Sequence, residues 1–372
     1  MRDLMFALMM LVAVPLAIAR PFNAYLLWAW TAMVVPTSYF YGFMADARLN
    51  FAFAVLTLLF ILLGRVPWKS YQTNRVTWLY LVFLFHGMLA YFFAYPANPN
   101  NAVYLEFFVK GMGFSLVMPF FIRERLHMHA FLIVIVLGLG LHGVLNGLKV
   151  LATAGGHNVL GPDGTMIADR NHLSTALALA LPLLYYLFQQ SRHRLIRWAF
   201  LGGFVVVALA IAGSGSRGGF IALSVVSAWL VVTSRKRWSA LALVIILAVL
   251  FVNLAPEQWF SRLSTIEEAG ADESFMGRVI AWKISSALAL SNPVFGGGFH
   301  AVQLQGIWDQ FKAEPGLLGF LNLPTPEFSA KAAHSIYFEV MGDMGFVGLF
   351  IFMAVLLCGV RTRFVIGRQL RH

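Results

Sequence analysis

The sequence is poor in charged residues, and this scarcity excludes an ordinary soluble domain. Charged residues make up 12% of the 372 residues, whereas soluble globular domains carry about 25%. The chain also has a single cysteine, Cys358, which lies in the last apolar segment and has no partner within the chain. It therefore says nothing about disulfides or redox compartment.

Several catalytic and cofactor motifs are missing as well. The sequence has no Gly-x-x-x-x-Gly-Lys-Ser/Thr loop, so an ATP-driven pump is unsupported. No Cys/His cluster has zinc spacing, and His127-Met128-His129 stands among arginines in a predicted cytoplasmic loop. The run Gly213-Ser214-Gly215-Ser216 resembles a nucleophile elbow, but no strand precedes it. We therefore predict no metal site and no cofactor.

Hydrophobic residues dominate what is present. They make up 60% of the chain, and the mean hydropathy is +0.76. Eleven apolar runs approach the roughly 20 residues that cross a hydrocarbon core: 4–19, 21–35, 49–63, 76–95, 103–122, 130–151, 172–188, 195–212, 219–233, 238–254 and 336–360. These runs predict an all-α, polytopic membrane helix bundle with about eleven transmembrane segments. We expect the first run to be a retained anchor rather than a cleaved signal peptide.

Basic residues cluster in every second connection between the runs, at 65–75, 123–125, 192–197, 235–237 and 361–371. The positive-inside rule predicts that these connections are cytoplasmic and that the others face the periplasm of a bacterial cell. The net charge of +11 is thus explained by topology and by anionic lipid head groups, without a nucleic-acid partner.

One long hydrophilic stretch interrupts the apolar series, and it should face outward. It divides the chain into a membrane helix bundle at 1–254, a periplasmic loop domain at 255–335, and a final transmembrane helix with a basic tail at 336–372. Apolar spacing predicts short amphipathic helices at 257–266 and 276–290. Asn292-Pro293 should end the second helix, and Gly296-Gly297-Gly298 permits unusual backbone conformations.

Three polar residues bracket this stretch and are the main candidates for chemistry. Arg217 lies between two apolar runs beside glycines, Arg278 lies within the stretch, and His334 stands where the chain re-enters an apolar run. Two guanidinium groups suit an anionic lipid head group, and an imidazole can move a proton. Each also has an ordinary explanation. Arg217 can be a snorkelling anchor, Arg278 a salt-bridge partner of Asp272 or Glu273, and His334 a structural histidine.

Arg170, Asn171 and His172 open another apolar run on the outward side. They are candidates for an acceptor or sugar site. Helix capping by Asp169 or Asn171 is the alternative interpretation.

Two further pairs of residues have helical spacing. Glu106 and Lys110 lie one turn apart, and we expect an ion pair rather than catalysis. Glu339 follows His334 by five residues and is a candidate for orienting its imidazole, although five residues fit one helix face poorly.

Three runs of residues, in this order and spacing, resemble the O-antigen ligase superfamily: Ser216-Arg217-Gly218-Gly219, the segment from Gly277-Arg278 through Asn292-Pro293-Val294-Phe295-Gly296-Gly297-Gly298-Phe299, and Ala333-His334-Ser335-Ile336-Tyr337-Phe338-Glu339. Within the superfamily, the chain is most similar to the O-glycosylation ligases associated with exosortase systems. That similarity includes Met1-Arg2-Asp3-Leu4, Arg20-Pro21 and Ile167-Ala168-Asp169-Arg170-Asn171-His172. Members of the family usually continue with further membrane segments, whereas this sequence ends at His372.

The resemblance implies a membrane glycosyltransferase of the bacterial inner membrane. Such an enzyme transfers a glycan from an undecaprenyl-diphosphate carrier to an acceptor at the periplasmic face, with inversion and without a metal. Arg217 and Arg278 would hold the diphosphate, and His334 would serve the hydroxyl of a lipid, protein or saccharide acceptor. A polymerase of the same superfamily differs only in its acceptor and stays open. A transporter is less favoured, because it would place charges in mid-membrane.

Overall fold

A computed structural model describes residues 1–71, 73–95, 98–99, 101–234, 237–254, 273–321, 323 and 329–369, and within these ranges the chain is helical and contains no strand. The predicted all-α class is therefore confirmed. The described α-helices are α1 (Arg2–Ala19), α2 (Pro21–Val34), α3 (Leu49–Leu62), α4 (Arg75–Phe92), α5 (Asn101–Phe121), α6 (Arg125–Ala152), α7 (Arg170–Gln190), α8 (Arg194–Gly213), α9 (Arg217–Thr233), α10 (Arg237–Leu254), α11 (Glu273–Ser291), α12 (Gln305–Phe311) and α13 (Ile336–Gln369).

Seven of the described helices are long and apolar enough to cross a membrane, namely α1, α4, α5, α6, α7, α8 and α13. All eleven apolar runs in the sequence fall on helices, but several of these helices are short. The 14-residue α3 is roughly 21 Å long, which is less than the hydrocarbon core of about 30 Å. The protein is thus a multi-pass membrane protein, and the predicted count of about eleven spans is not confirmed.

Internal contacts divide the chain into two compact units. Unit 1 comprises Met1–Ser70 and Phe120–Leu263, and unit 2 comprises Tyr71–Pro119 and Ser264–His372. The predicted division at 254 and 335 concerns the side of the membrane on which each part lies, and it stays a prediction.

Unit 1 has a regular core formed mainly by α6, α7, α8 and α9, whose buried side chains are apolar. Helices α6 and α8 pack closely at Gly147, where an added Cβ would lie 2.1 Å from the carbonyl oxygen of Val206. Small residues at such contacts allow helices to approach in a membrane, where dispersion forces rather than water exclusion drive packing.

Unit 2 packs α11 and α4 against α13. The helix predicted at 276–290 is confirmed as α11, which ends at Ser291 just before Asn292-Pro293. Its apolar face lies in a core with α12, in which Trp308 is fully buried. The helix predicted at 257–266 lies outside the described residues.

Helix α13 is interrupted at Gly345, which has φ 69° and ψ −173°. The loop from Pro293 to Gly298 runs beside this break, and α4 contributes a histidine. Four hydrogen bonds join the parts: Gly297 N to Gly342 O at 2.8 Å, Gly298 N to Asp343 O at 3.0 Å, Phe346 N to Pro293 O at 2.8 Å, and His86 Nε2 to Met344 O at 3.0 Å. A broken helix at membrane depth needs such partners for its freed backbone groups. The glycine-rich run therefore supplies hydrogen-bond donors to carbonyl groups that the break in α13 leaves without helical partners.

Candidate functional site

In unit 1, the candidate Arg217 is the first residue of α9, immediately after the turn from α8. Ser216 caps α9, because its Oγ accepts a hydrogen bond from Gly219 N at 3.0 Å. Gly215 in this turn has φ +65°, a conformation that favours glycine. The Arg217 side chain is half-buried. The turn thus places a guanidinium at a helix N-terminus, where the helix dipole also favours anions.

The start of α7 meets the same turn. The Ser216 hydroxyl donates to Asn171 Oδ1 at 2.7 Å, and Ser174 Oγ donates to Ser214 Oγ at 2.9 Å. The N-termini of α7 and α9 therefore lie together, and Arg170 is the first residue of α7. The structure thus brings the candidates Arg170, Asn171 and His172 to the end of unit 1 that carries Arg217. Both connections were predicted to face outward, and that orientation stays a prediction.

Helix capping, the alternative interpretation of this segment, is confirmed for Asp169. Its Oδ1 accepts a hydrogen bond from Asn171 N at 2.7 Å, and His172 Nδ1 lies 3.8 Å from it. Partial burial disfavours the charged carboxylate, but the hydrogen bond from Asn171 and the nearby His172 outweigh burial and lower the pKa of Asp169 below its ordinary value. Asn171 has a different role, because its side chain accepts from Ser216.

In unit 2, Arg278 lies on α11 and is half-buried. Its Nε is buried and has no hydrogen-bond partner among the described residues. A buried donor without an acceptor costs about 1–3 kcal/mol, and more when the group is charged. This guanidinium therefore needs an acceptor beyond the described side chains. The side chains of Asp272 and Glu273, its predicted salt-bridge partners, lie outside the described residues.

Trp282 joins α11, which carries Arg278, to the segment that carries His334. Its Nε1 donates to Ala333 O at 2.6 Å, and its ring stacks on Phe338 at 5.2 Å. Arg278 precedes Trp282 by four residues and so lies on the same face of α11, about 6 Å away along the axis. His334 directly follows the acceptor Ala333. Arg278 and His334 therefore both lie near the hydrogen bond that joins α11 to this segment.

His334 is exposed and has φ 48°. Helix α13 begins two residues later at Ile336. A histidine in the left-handed region is uncommon, and such residues cluster at functional sites. The alternative interpretation of His334 as a structural histidine stays open.

Glu339 contacts a histidine that the sequence interpretation missed. Glu339 Oε1 lies 3.1 Å from His300 Nε2, and the imidazole of His300 stacks on Tyr104 with ring centroids 3.4 Å apart. His300 lies two residues after Gly298, the last glycine of the glycine-rich run. That position was the only feature of the sequence that could have indicated a functional role for His300. The proposed orientation of His334 by Glu339 stays a prediction.

No group of three or more His, Cys, Asp or Glu residues suited to a metal occurs within the described ranges. The predicted site residues fall into two sets. Unit 1 holds Arg170, Asn171, His172 and Arg217, and unit 2 holds Arg278, His334 and Glu339.

Comparison with family models assigns both halves of the sequence. Residues 1–192 match the model described as a family of unknown function (DUF5935), which covers 192 of the 372 residues. The chain belongs to this family. Residues 202–353 match the model described as O-Antigen ligase. This second match contains Arg217, Arg278 and His334, and it supports the superfamily to which the sequence motifs pointed.

The O-antigen ligase match indicates a glycosyl-transferring membrane enzyme for this member of the family. The resemblance to the exosortase-associated subgroup is not confirmed. No curated protein and no solved structure matches the chain.

Proposed function

We propose that this protein transfers a glycan from an undecaprenyl-diphosphate carrier to an acceptor hydroxyl on a lipid, a protein or another saccharide. The observation that carries the proposal lies in unit 2, where the hydrogen bond from Trp282 to Ala333 joins α11, which carries Arg278, to the segment that carries His334. An arginine with an unsatisfied buried Nε suits a phosphate oxygen, and an exposed imidazole suits a hydroxyl proton.

The arginines have the chemistry needed for a diphosphate. A guanidinium presents a planar fork of donors, binds phosphate oxygens bidentately and stays charged. Arg217 would add a second guanidinium at the N-terminus of α9, where the helix dipole also attracts anions. Two fixed cations can stabilise a diphosphate leaving group without a metal ion. We therefore expect added magnesium or a chelator to leave transfer unchanged.

The transfer step follows from these roles. The acceptor oxygen attacks the anomeric carbon of the glycan while its proton passes to His334. The bond between that carbon and the phosphate oxygen breaks, and undecaprenyl diphosphate leaves as an anion held by the arginines. Attack opposite the leaving group inverts the anomeric centre. Arg170, Asn171 and His172, beside Arg217, are proposed to support the sugar or the acceptor.

We place this site at the periplasmic face of the bacterial inner membrane. The basic connections predict that orientation. Labelling of single introduced cysteines with an impermeant reagent should modify a position at the exposed Ala313, near Gly316, and spare one at Arg194. The reverse pattern would put the site on the wrong side for a flipped carrier-linked glycan.

Deletion of the protein tests the function directly. The deletion strain should accumulate undecaprenyl-diphosphate-linked glycan and lose one mature glycoconjugate, and the wild-type chain should restore it. A polymerase would instead leave single repeat units attached to the carrier. A transporter would leave the carrier-linked pool unchanged or trap it on the cytoplasmic side. Either result would replace the ligase proposal.

A further inference from the structure

A side-chain cluster in unit 2 lies beside the region of His334 and contains His300, Tyr104, Gln303 and Glu339. The His300 imidazole is nearly parallel to the Tyr104 ring, with 7° between the planes. The Gln303 Nε2 lies 2.5 Å from His300 Nδ1, and Glu339 Oε1 lies 3.1 Å from His300 Nε2. Both ring nitrogens of His300 therefore face defined partners.

The backbone of His300 also has a defined hydrogen-bond partner. His300 has φ 55°, in the left-handed region, which is costly for a residue other than glycine. The buried carboxylate of Asp343 accepts hydrogen bonds from the backbone N–H groups of His300 and Ala301. A strained conformation persists only where its surroundings impose it, and such positions cluster at functional sites.

The partners of His300 determine which of its two ring nitrogens carries the hydrogen. The Gln303 amide donates to Nδ1, so Nε2 carries the hydrogen and donates to the Glu339 carboxylate. With both nitrogens engaged, His300 does not serve as a base in this arrangement. Its imidazole instead fixes the orientation of Glu339, whose side chain is 32% exposed while that of His300 is 17% exposed.

The backbone of Glu339 lies near that of His334 at the start of α13. Glu339 N donates to Ser335 O at 2.9 Å, so Glu339 lies one helical turn, about 6 Å, beyond Ser335. Ser335 directly follows His334. A half-exposed carboxylate at this position can accept a hydrogen bond from a hydroxyl that approaches the site.

We propose that His300 is a positioning residue that holds the Glu339 carboxylate to bind a hydroxyl of the saccharide substrate. This inference rests on the proposed function, because it assumes that a saccharide approaches His334. A carboxylate fixed in one orientation binds a hydroxyl without losing rotamer entropy. The hydroxyl belongs either to the donor glycan or to the acceptor.

Two substitutions of His300 separate the hydrogen bond from the ring stack. His300→Gln keeps a donor amide for Glu339 and loses the ring, whereas His300→Phe keeps the stack on Tyr104 and loses the donor. Both place a non-glycine residue at the same positive φ, so their backbone cost is matched. We expect His300→Gln to retain most of the transfer and His300→Phe to lose about 10-fold or more, the usual effect of removing a hydrogen bond to a charged group.

The measurement is transfer in membranes of the deletion strain, which contain the native donor and acceptor, normalised to the amount of folded protein. Retention by the phenylalanine variant together with loss by the glutamine variant would make His300 a packing residue and overturn the proposal. Equal retention or equal loss by both folded variants would also overturn it.

A double variant tests whether His300 acts through Glu339. If it does, adding His300→Phe to Glu339→Gln should lower transfer no further than Glu339→Gln alone. Multiplied losses would mean independent roles and would contradict the proposal.

Binding assays on the purified wild-type protein and the His300→Phe variant identify the source of the hydroxyl. The probes are undecaprenyl diphosphate and the carrier-linked glycan extracted from the deletion strain. Weaker binding of the glycan-linked carrier alone assigns the hydroxyl to the donor, and unchanged binding of both assigns it to the acceptor. Equally weakened binding of both would make Glu339 part of the carrier site and contradict the proposal. If the deletion strain accumulates no carrier-linked glycan, the proposed function itself fails, which is a different result.

Discussion

The two units of this protein differ in which polar side chains they bury and in the continuity of their helices. In unit 1, the described buried polar side chains are hydroxyls, as at Ser174, Ser214 and Ser216, or the imidazole of His142, and the three serines form hydrogen bonds between helix ends. Among the described residues, buried aspartate and lysine side chains occur only in unit 2, at Asp343 and Lys283. Burial lowers the pKa of Lys283 against the attraction of Glu314, and its ammonium donates to Lys312 O at 2.9 Å.

The backbone shows the same contrast. Unit 2 contains α13, which is interrupted at Gly345. Non-glycine residues with positive φ occur in both units, at Val35 and Ala154 in unit 1 and at His300 and His334 in unit 2, so they do not add to the contrast. Broken helices and buried ionisable groups cost stability. Natural sequences keep such features mainly at functional sites. The contrast therefore supports the proposal that unit 2 carries reacting groups.

The largest effect is expected from the arginines. Arg278→Ala and Arg217→Ala should each lower transfer by about 100-fold or more, the cost of removing a donor that stabilises developing charge. Lysine should rescue poorly, because it lacks the planar fork. Transfer in membranes of the deletion strain measures both.

The matched control is Arg197→Ala. Arg197 lies near the start of α8, whereas the turn that carries Arg217 follows the end of α8, and its guanidinium lies over the Phe188 ring at 4.8 Å. It should keep wild-type transfer. Full activity of Arg278→Lys would mean that Arg278 contributes only its positive charge and not its planar fork of donors. That result would weaken the proposal that unit 2 carries reacting groups.

The next effect concerns the loop that completes α13. An alanine Cβ at Gly296 would lie 2.5 Å from Gly342 O, and Gly296 has φ +65°. Strain and overpacking each cost about 1–3 kcal/mol, so Gly296→Ala should destabilise unit 2 by roughly 2–6 kcal/mol.

Gly202→Ala on α8 in unit 1 is the control, because an added Cβ there meets nothing within 4 Å. It should be neutral or stabilise by up to about 1 kcal/mol. Thermal unfolding of the purified proteins compares the two variants. Similar melting temperatures would show that the loop at Gly296 is not tightly packed.

Local features of this chain could be predicted from the sequence. As predicted, α11 ends just before Asn292-Pro293, Asp169 caps α7, and Glu106 pairs with Lys110 on α5. Each depends on residues within about one helical turn, where spacing and propensity determine geometry. The count of spans was harder, since an apolar run does not show how long its helix is.

Contacts between distant segments could not be predicted. Glu339 was interpreted only relative to His334, its neighbour in sequence, and its contact with His300, which is 39 residues away, was missed. The glycine run at 296–298 indicated an unusual backbone, but its function of completing a broken helix depends on Gly345 in another element. A single sequence gives no information about such pairings.

A smaller effect is expected at the regular start of α7 in unit 1. Asp169→Ala removes the cap and should cost about 1 kcal/mol, whereas Asp169→Asn keeps an oxygen acceptor and should cost much less. Because the pKa of Asp169 is lowered by folding, the stabilisation from its charge is present above its unfolded pKa. It should be lost as the pH falls through the folded value. Unfolding of both variants across acidic pH checks this, and an asparagine variant as unstable as the alanine variant would contradict it.

The central claim is that His334 takes the acceptor proton while arginines hold the carrier, and separating binding from turnover in His334→Ala tests it most directly. A positioned base contributes about 100- to 10,000-fold, so transfer should fall by that factor while the purified variant binds undecaprenyl diphosphate like the wild type. Wild-type transfer should also decline as the pH falls far enough to protonate the imidazole. Lost affinity for undecaprenyl diphosphate with turnover preserved would contradict the account and make His334 a phosphate ligand.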